Sequence, residues 1–123
     1  MDKDRDREVL EAEIKRGNFV RAVQIAVSLG LPETEIQDLR INALWKSSAI
    51  SRNAPGTKRL ALQYGLSMEK LGEILKKKAE QEKNEGNGKV LEPCYNQKTG
   101  RYLSFEKWVE HLFKSWKKLP GGD

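Results

Sequence analysis

The chain contains one cysteine and one histidine in 123 residues. Cys94 has no second thiol with which to form an internal disulfide, and Cys94 with His111 makes no zinc-ligand spacing, so no metal site is expected. Nowhere do about 18 consecutive apolar residues occur, the length that a membrane-spanning helix needs. The opening M-D-K-D-R-D-R lacks the apolar core of a secretory signal. Together these point to a soluble, cytoplasmic chain without a membrane partner. Glycine-rich phosphate loops are also missing, because Gly86-Asn87-Gly88 has neither a preceding strand nor a following helix. No third group orients a Cys94–His111 pair, and Glu69 and Glu73, one helical turn apart, read as solvated neighbours rather than an acid–base pair. Neither an enzyme nor a cofactor is expected.

What the chain has is charge and helical periodicity. A third of its residues are charged and the net charge is +5. Residues 1–50 carry eight Lys or Arg against nine Asp or Glu, residues 51–83 eight against four, and residues 84–123 seven against five. The basic excess therefore lies in the second half, where a polyanion would dock. The length suits one modest domain. Two segments are expected within it: a helical part over 1–83, and a linker, hairpin and C-terminal helix over 84–123 packed on the same domain or on a partner.

Apolar spacing and capping residues predict helices near 3–16, 19–29, 33–50, 57–64, 68–80 and 104–118, with a hairpin near 90–103. Val9, Leu10 and Ile14 mark the first stripe, and Gly17 closes it. Asn18 is placed to cap the second helix, whose Phe19, Ala22, Val23, Ala26 and Val27 fall on one face before Gly30. The segment G-N-F-V-R-A-V-Q-I-A (17–26) resembles the middle of a tetratricopeptide unit, which implies a close helical hairpin; no second copy follows. Pro32 suits the first turn of the third helix, and Ile36, Leu39, Ala43, Leu44 and Ile50 continue its stripe. The run Ser51-Arg52-Asn53-Ala54-Pro55-Gly56 then breaks the helix.

Residues 57–76 read T-K-R-L-A-L-Q-Y-G-L-S-M-E-K-L-G-E-I-L-K. They resemble the helix-turn-helix superfamily of DNA-binding proteins. In that resemblance Ala61 is the small residue where two helices touch, Gly65 makes the turn, and Leu60, Leu66, Leu71 and Ile74 hold the second helix down. Ser67 suits its cap and Glu69 its first turn. The resemblance implies that Ser67, Met68, Glu69, Glu73 and Lys76 face base edges in a major groove, with Lys58, Arg59 and Lys77 near phosphates. Double-stranded DNA is the partner so implied, and the role is transcription regulation. Glu69 and Glu73 oppose it, since carboxylates in a groove repel phosphate.

Beyond residue 80 the apolar content lapses, so a polar linker is expected around 84–88. The hairpin follows, with Tyr95 and Tyr102 flanking Asn96-Gln97-Lys98-Thr99-Gly100 and Pro93 keeping its first strand at an edge. In winged relatives of the superfamily such a hairpin lies along the DNA backbone, a role that falls here to Lys89, Lys98 and Arg101. The last helix is the most amphipathic, and its Phe105, Trp108, Leu112 and Trp116 need an apolar surface; a homodimer through this helix is expected, with docking on the chain's own core as the competing outcome. L-S-M-E-K-L-G-E-I-L-K-K and L-S-F-E-K-W-V-E-H-L-F-K share positions at an offset of 37, which reads as shared capping grammar rather than duplication. Two functions stay open: a helix-turn-helix DNA-binding regulator, or a helical protein-interaction module that touches no nucleic acid. The fold class is mainly α under either reading.

Overall fold

Charged residues at both ends of the first segment and a glycine behind it produce α1, Lys3–Lys15, with Asp4 and Asp6 at its positive end. The computed structural model describes residues 3–97 and 99–119. The fold is mainly α, with a two-stranded antiparallel hairpin, and the chain divides after Ala43 into two compact units.

In the first unit, α1 packs on α2, Phe19–Leu29, which buries Ala22, Val23 and Ala26. Glu13 closes the corner between them. Its carboxylate is buried and accepts from Asn18 Nδ2 at 2.8 Å, with Arg16 at 3.4 Å and Arg21 at 3.9 Å. Asn18 therefore does not cap α2 through its side chain, as its type suggested, because the amide serves the buried carboxylate instead. Of the expected first stripe only Leu10 is buried, whereas Val9 and Ile14 are exposed. The third helix, α3, spans Glu33–Trp45, and Ile36, Leu39 and Ala43 are buried on it.

The second unit begins with Leu44 and Trp45, both buried. The expected helix to residue 50 changes character at Lys46–Ile50, which form a π-turn with Ser51 N–H donating to Lys46 O at 2.9 Å. A wider turn rotates the following residues off the apolar stripe, and Ile50 is accordingly exposed. The next helix, α4, runs Ala54–Gln63 and starts earlier than predicted. Proline is tolerated in a first turn, where its missing N–H is not needed, so Ala54-Pro55 opens this helix rather than breaking the chain. Asn53 Oδ1 caps it by accepting from Gly56 N–H at 3.0 Å. Buried Thr57 places its hydroxyl 2.9 Å from that of Ser47, which fixes α4 to the π-turn.

Helix α5, Met68–Asn84, extends past the expected end at residue 80. Lys78 and Glu82 pair at 3.1 Å, and Asn87 Nδ2 donates to Glu82 at 2.8 Å. Those hydrogen bonds, first from Asn87 and then from Lys78, hold the Glu82 carboxyl below its ordinary pKa. The predicted linker is thus a short reversal. A 3-10 turn at Gly88–Leu91 packs back on α5, which removes Val90 and Leu91 from the hairpin. The strands are β1, Cys94–Asn96, and β2, Arg101–Leu103, with Tyr95 opposite Tyr102. Both tyrosines are exposed and meet edge to face at 5.4 Å.

Helix α6, Phe105–Lys114, ends earlier than predicted, and a separate 3-10 turn covers Trp116–Lys118. Ser67 and Ser104 cap α5 and α6 alike, accepting from Lys70 N–H at 3.1 Å and Lys107 N–H at 3.2 Å. The similarity at offset 37 is thus expressed as two equivalent helix starts. Phe105 packs against Trp45 at 5.1 Å and stacks on Trp108 at 6.1 Å.

Candidate nucleic-acid interface

The corner between α4 and α5 is built by one glycine. Gly65 adopts φ +72°, and nothing lies within 4 Å of where its Cβ would stand. Its need is conformational, since a left-handed backbone is costly for other residues while the space is open. The reversal is closed by Gly65 N–H donating to Leu62 O at 3.0 Å and Leu66 N–H donating to Ala61 O at 2.8 Å. Leu60, Ala61, Leu71 and Leu75 are buried and hold the two helices in the unit, while Leu66 and Ile74 are half-buried.

The opposite side of α5 faces solvent. Glu69, Glu73, Lys76 and Lys77 are exposed on it, Ser67 is exposed at its start, and Arg59 is exposed on α4; Met68 is half-buried. The residues 69, 73, 76 and 77 follow the i, i+4, i+7, i+8 spacing of one helical face. Lys70 lies 3.7 Å from Glu73 and offsets its charge, and the Ser67 hydroxyl is engaged in its cap. Beside this face the Phe113 ring lies against Gly72, where an added Cβ would meet it at 3.1 Å.

Two groups of expectations need correction. Lys58 was expected near phosphates, but it is 1% exposed. Its ammonium donates to Trp116 O at 2.7 Å and Leu119 O at 3.0 Å and sits 5.7 Å from the centre of the Trp116 ring. Those carbonyls close the last turn of the described chain, where Trp116 O also accepts from Leu119 N–H at 3.3 Å, and carbonyls at a helix end have acceptor capacity to spare for the ammonium. The second correction concerns the face assigned to a second copy. Phe105, Trp108 and Leu112 are at most 4% exposed in the single chain, so they belong to its own core. Trp116 is half-buried beside Lys58.

Arg101 is exposed on β2 and borders a concavity of about 400 Å³ with Lys107, His111 and Lys114 of α6. Lys107 and Lys114 escaped the sequence reading as site residues, although their seven-residue separation on a charged helical face was the available signal. Lys98 lies outside the described residues. Arg52 was also missed, having been read as part of a helix break. Its backbone is left-handed at φ +49°. The guanidinium donates to Ala49 O, Leu103 O, Val90 O and Glu92 O at 3.0–3.2 Å and covers the Phe105 ring at 5.5 Å. Burial lowers its pKa from the ordinary value, with nearby Cys94 acting in the opposite sense.

Charge follows the structural division more sharply than it follows the sequence halves. Residues 1–43 carry seven Lys or Arg against nine Asp or Glu, a net of −2, and residues 44–123 carry 16 against nine, a net of +7. Among the described residues no group of three or more His, Cys, Asp or Glu side chains could hold a metal ion, and no helix is long and apolar enough to cross a membrane. No family model, curated protein or solved structure matches the chain.

Proposed function

We propose that the chain is a DNA-binding regulatory protein that docks its second unit on duplex DNA through the exposed face of α5. The observation that carries the reading is the coincidence of the Gly65 corner, which leaves the start of α5 at the surface, with the unit that holds a net charge of +7. Arg59, Lys76 and Lys77 would contact phosphates from this side, and Ser67, Met68, Glu69 and Glu73 would lie nearest the bases. Arg101, with Lys107 and Lys114 beside it, offers a second backbone contact. The lysine partner of Glu73 supports the reading by reducing the repulsion that a bare carboxylate would meet.

The test is fluorescence anisotropy of a labelled duplex titrated at several salt concentrations. Affinity is expected to fall linearly with salt on logarithmic axes, and the double substitution Lys76→Glu/Lys77→Glu to lower the magnitude of that slope by about 2. Lys58→Met, at a buried position, is expected to leave the slope of folded protein unchanged. Absence of binding at low ionic strength, or binding indifferent to Lys76 and Lys77, would overturn the proposal.

A further inference from the structure

Between α5 and α6 lies a groove of about 580 Å³, within the size range of small-ligand sites. Its walls are apolar: Leu75 and Ala79 from α5, Val109 and Phe113 from α6, and Leu91 from the 3-10 turn. The floor at Leu75 is fully buried, while Ala79, Leu91, Val109 and Phe113 are half-buried and open to an incoming group. Gly72 sets one end, because the absence of its side chain lets the Phe113 ring rest on α5.

The rim has the wrong charge for its surroundings. Glu80, Glu106 and Glu110 stand around the opening, and Lys76 is the one cation among its lining residues, on a unit whose net charge is +7. Glu110 shares its charge with Lys107 at 3.5 Å. Glu80 and Glu106 are exposed and make no ion pair among the described residues. A phosphate or carboxylate would be repelled from this opening, and a neutral apolar body would leave the carboxylates unanswered. An aryl or branched-alkyl body bearing an ammonium or phosphonium centre answers both, with its apolar part against Val109 and Leu75 and its charge at the carboxylates.

We propose that this groove is a binding site for a small hydrophobic cation. The groove adjoins the exposed face of α5 assigned to DNA and shares Lys76 with it, but its apolar walls and its carboxylates take no part in that assignment, so the proposal stands whether or not the chain binds DNA. The test uses tetraphenylphosphonium and tetraphenylborate, which share size and shape and differ in sign. Each is titrated into the full chain while backbone amide shifts are followed by two-dimensional NMR. Tetraphenylphosphonium is expected to shift Gly72, Ala79, Leu91 and Val109 and to bind there at least about tenfold more tightly than tetraphenylborate. Val109→Trp, which fills the groove, is expected to abolish those shifts. Glu106→Lys changes an exposed side chain and is expected to fold normally while losing the preference for the cation. The proposal is overturned if the groove amides do not respond to the cation, respond equally to both ions, or keep their preference in Glu106→Lys. Shifts produced only by a basic amphipathic peptide would overturn it too and make the groove a helix-docking surface.

Discussion

Lys58 and Arg52 show how little of a side chain's fate is written beside it. Both are cations flanked by polar residues, and at both the apolar stem packs inside while the charged end collects carbonyl oxygens. The acceptors of Lys58 lie 58 and 61 positions away, and those of Arg52 include carbonyls 38, 40 and 51 positions away. No local pattern encodes such distances. Lys58→Met keeps most of the stem and removes the donor, leaving Leu119 O and part of the demand of Trp116 O unmet. A loss of about 1–3 kcal/mol is expected, read as a lower urea midpoint with tryptophan fluorescence as the probe. An unchanged midpoint would mean that the ammonium contributes nothing to stability.

At the scale of elements the periodic signals were legible and the joints less so. Helices over 19–29 and from residue 68 follow from apolar spacing with glycine or serine at their ends, and the structure places them there. Three of the boundaries that moved share one cause. At Pro55, at 84–88 and at 88–91, composition marks a break, but a cap or a packed turn restores structure: Asn53 before α4, the Lys78–Glu82–Asn87 chain at the end of α5, and the 3-10 turn on its flank. The exposed face of α5 was readable because helical spacing separates it from Leu71 and Leu75, whereas the Arg101–Lys107–Lys114 grouping needed the hairpin to meet α6. The corner itself invites a paired substitution. Ala61→Leu adds volume at a fully buried position and is expected to cost about 1–3 kcal/mol through overpacking. Gly65→Ala meets open space and is expected to cost about 1–2 kcal/mol through its left-handed backbone. Chemical denaturation of both variants checks this; a neutral Ala61→Leu would show that its surroundings yield.

For the whole molecule, the tryptophan helix decides between self-sufficiency and association. With Phe105, Trp108 and Leu112 covered by the chain itself, the full protein is expected to sediment as a monomer. A version ending at Tyr102 loses these residues and the partner ring of Trp45, and its second unit is expected to unfold, with loss of near-ultraviolet circular dichroism. A dimeric full chain together with a folded truncation would return the tryptophans to an interface.

The clasp made by Arg52 carries a consequence for synthesis. A chain emerges from the ribosome from its N-terminal end, so Arg52 is outside long before Leu103, whose carbonyl it must reach. Until residues 105–119 have emerged, Trp45 lacks Phe105 and Lys58 lacks its carbonyls. The first unit is complete by residue 43 and is free to fold during elongation. The second waits for Leu119, whose carbonyl Lys58 must reach, which makes the basic unit of this protein the one that a nascent-chain chaperone or a premature stop would affect most.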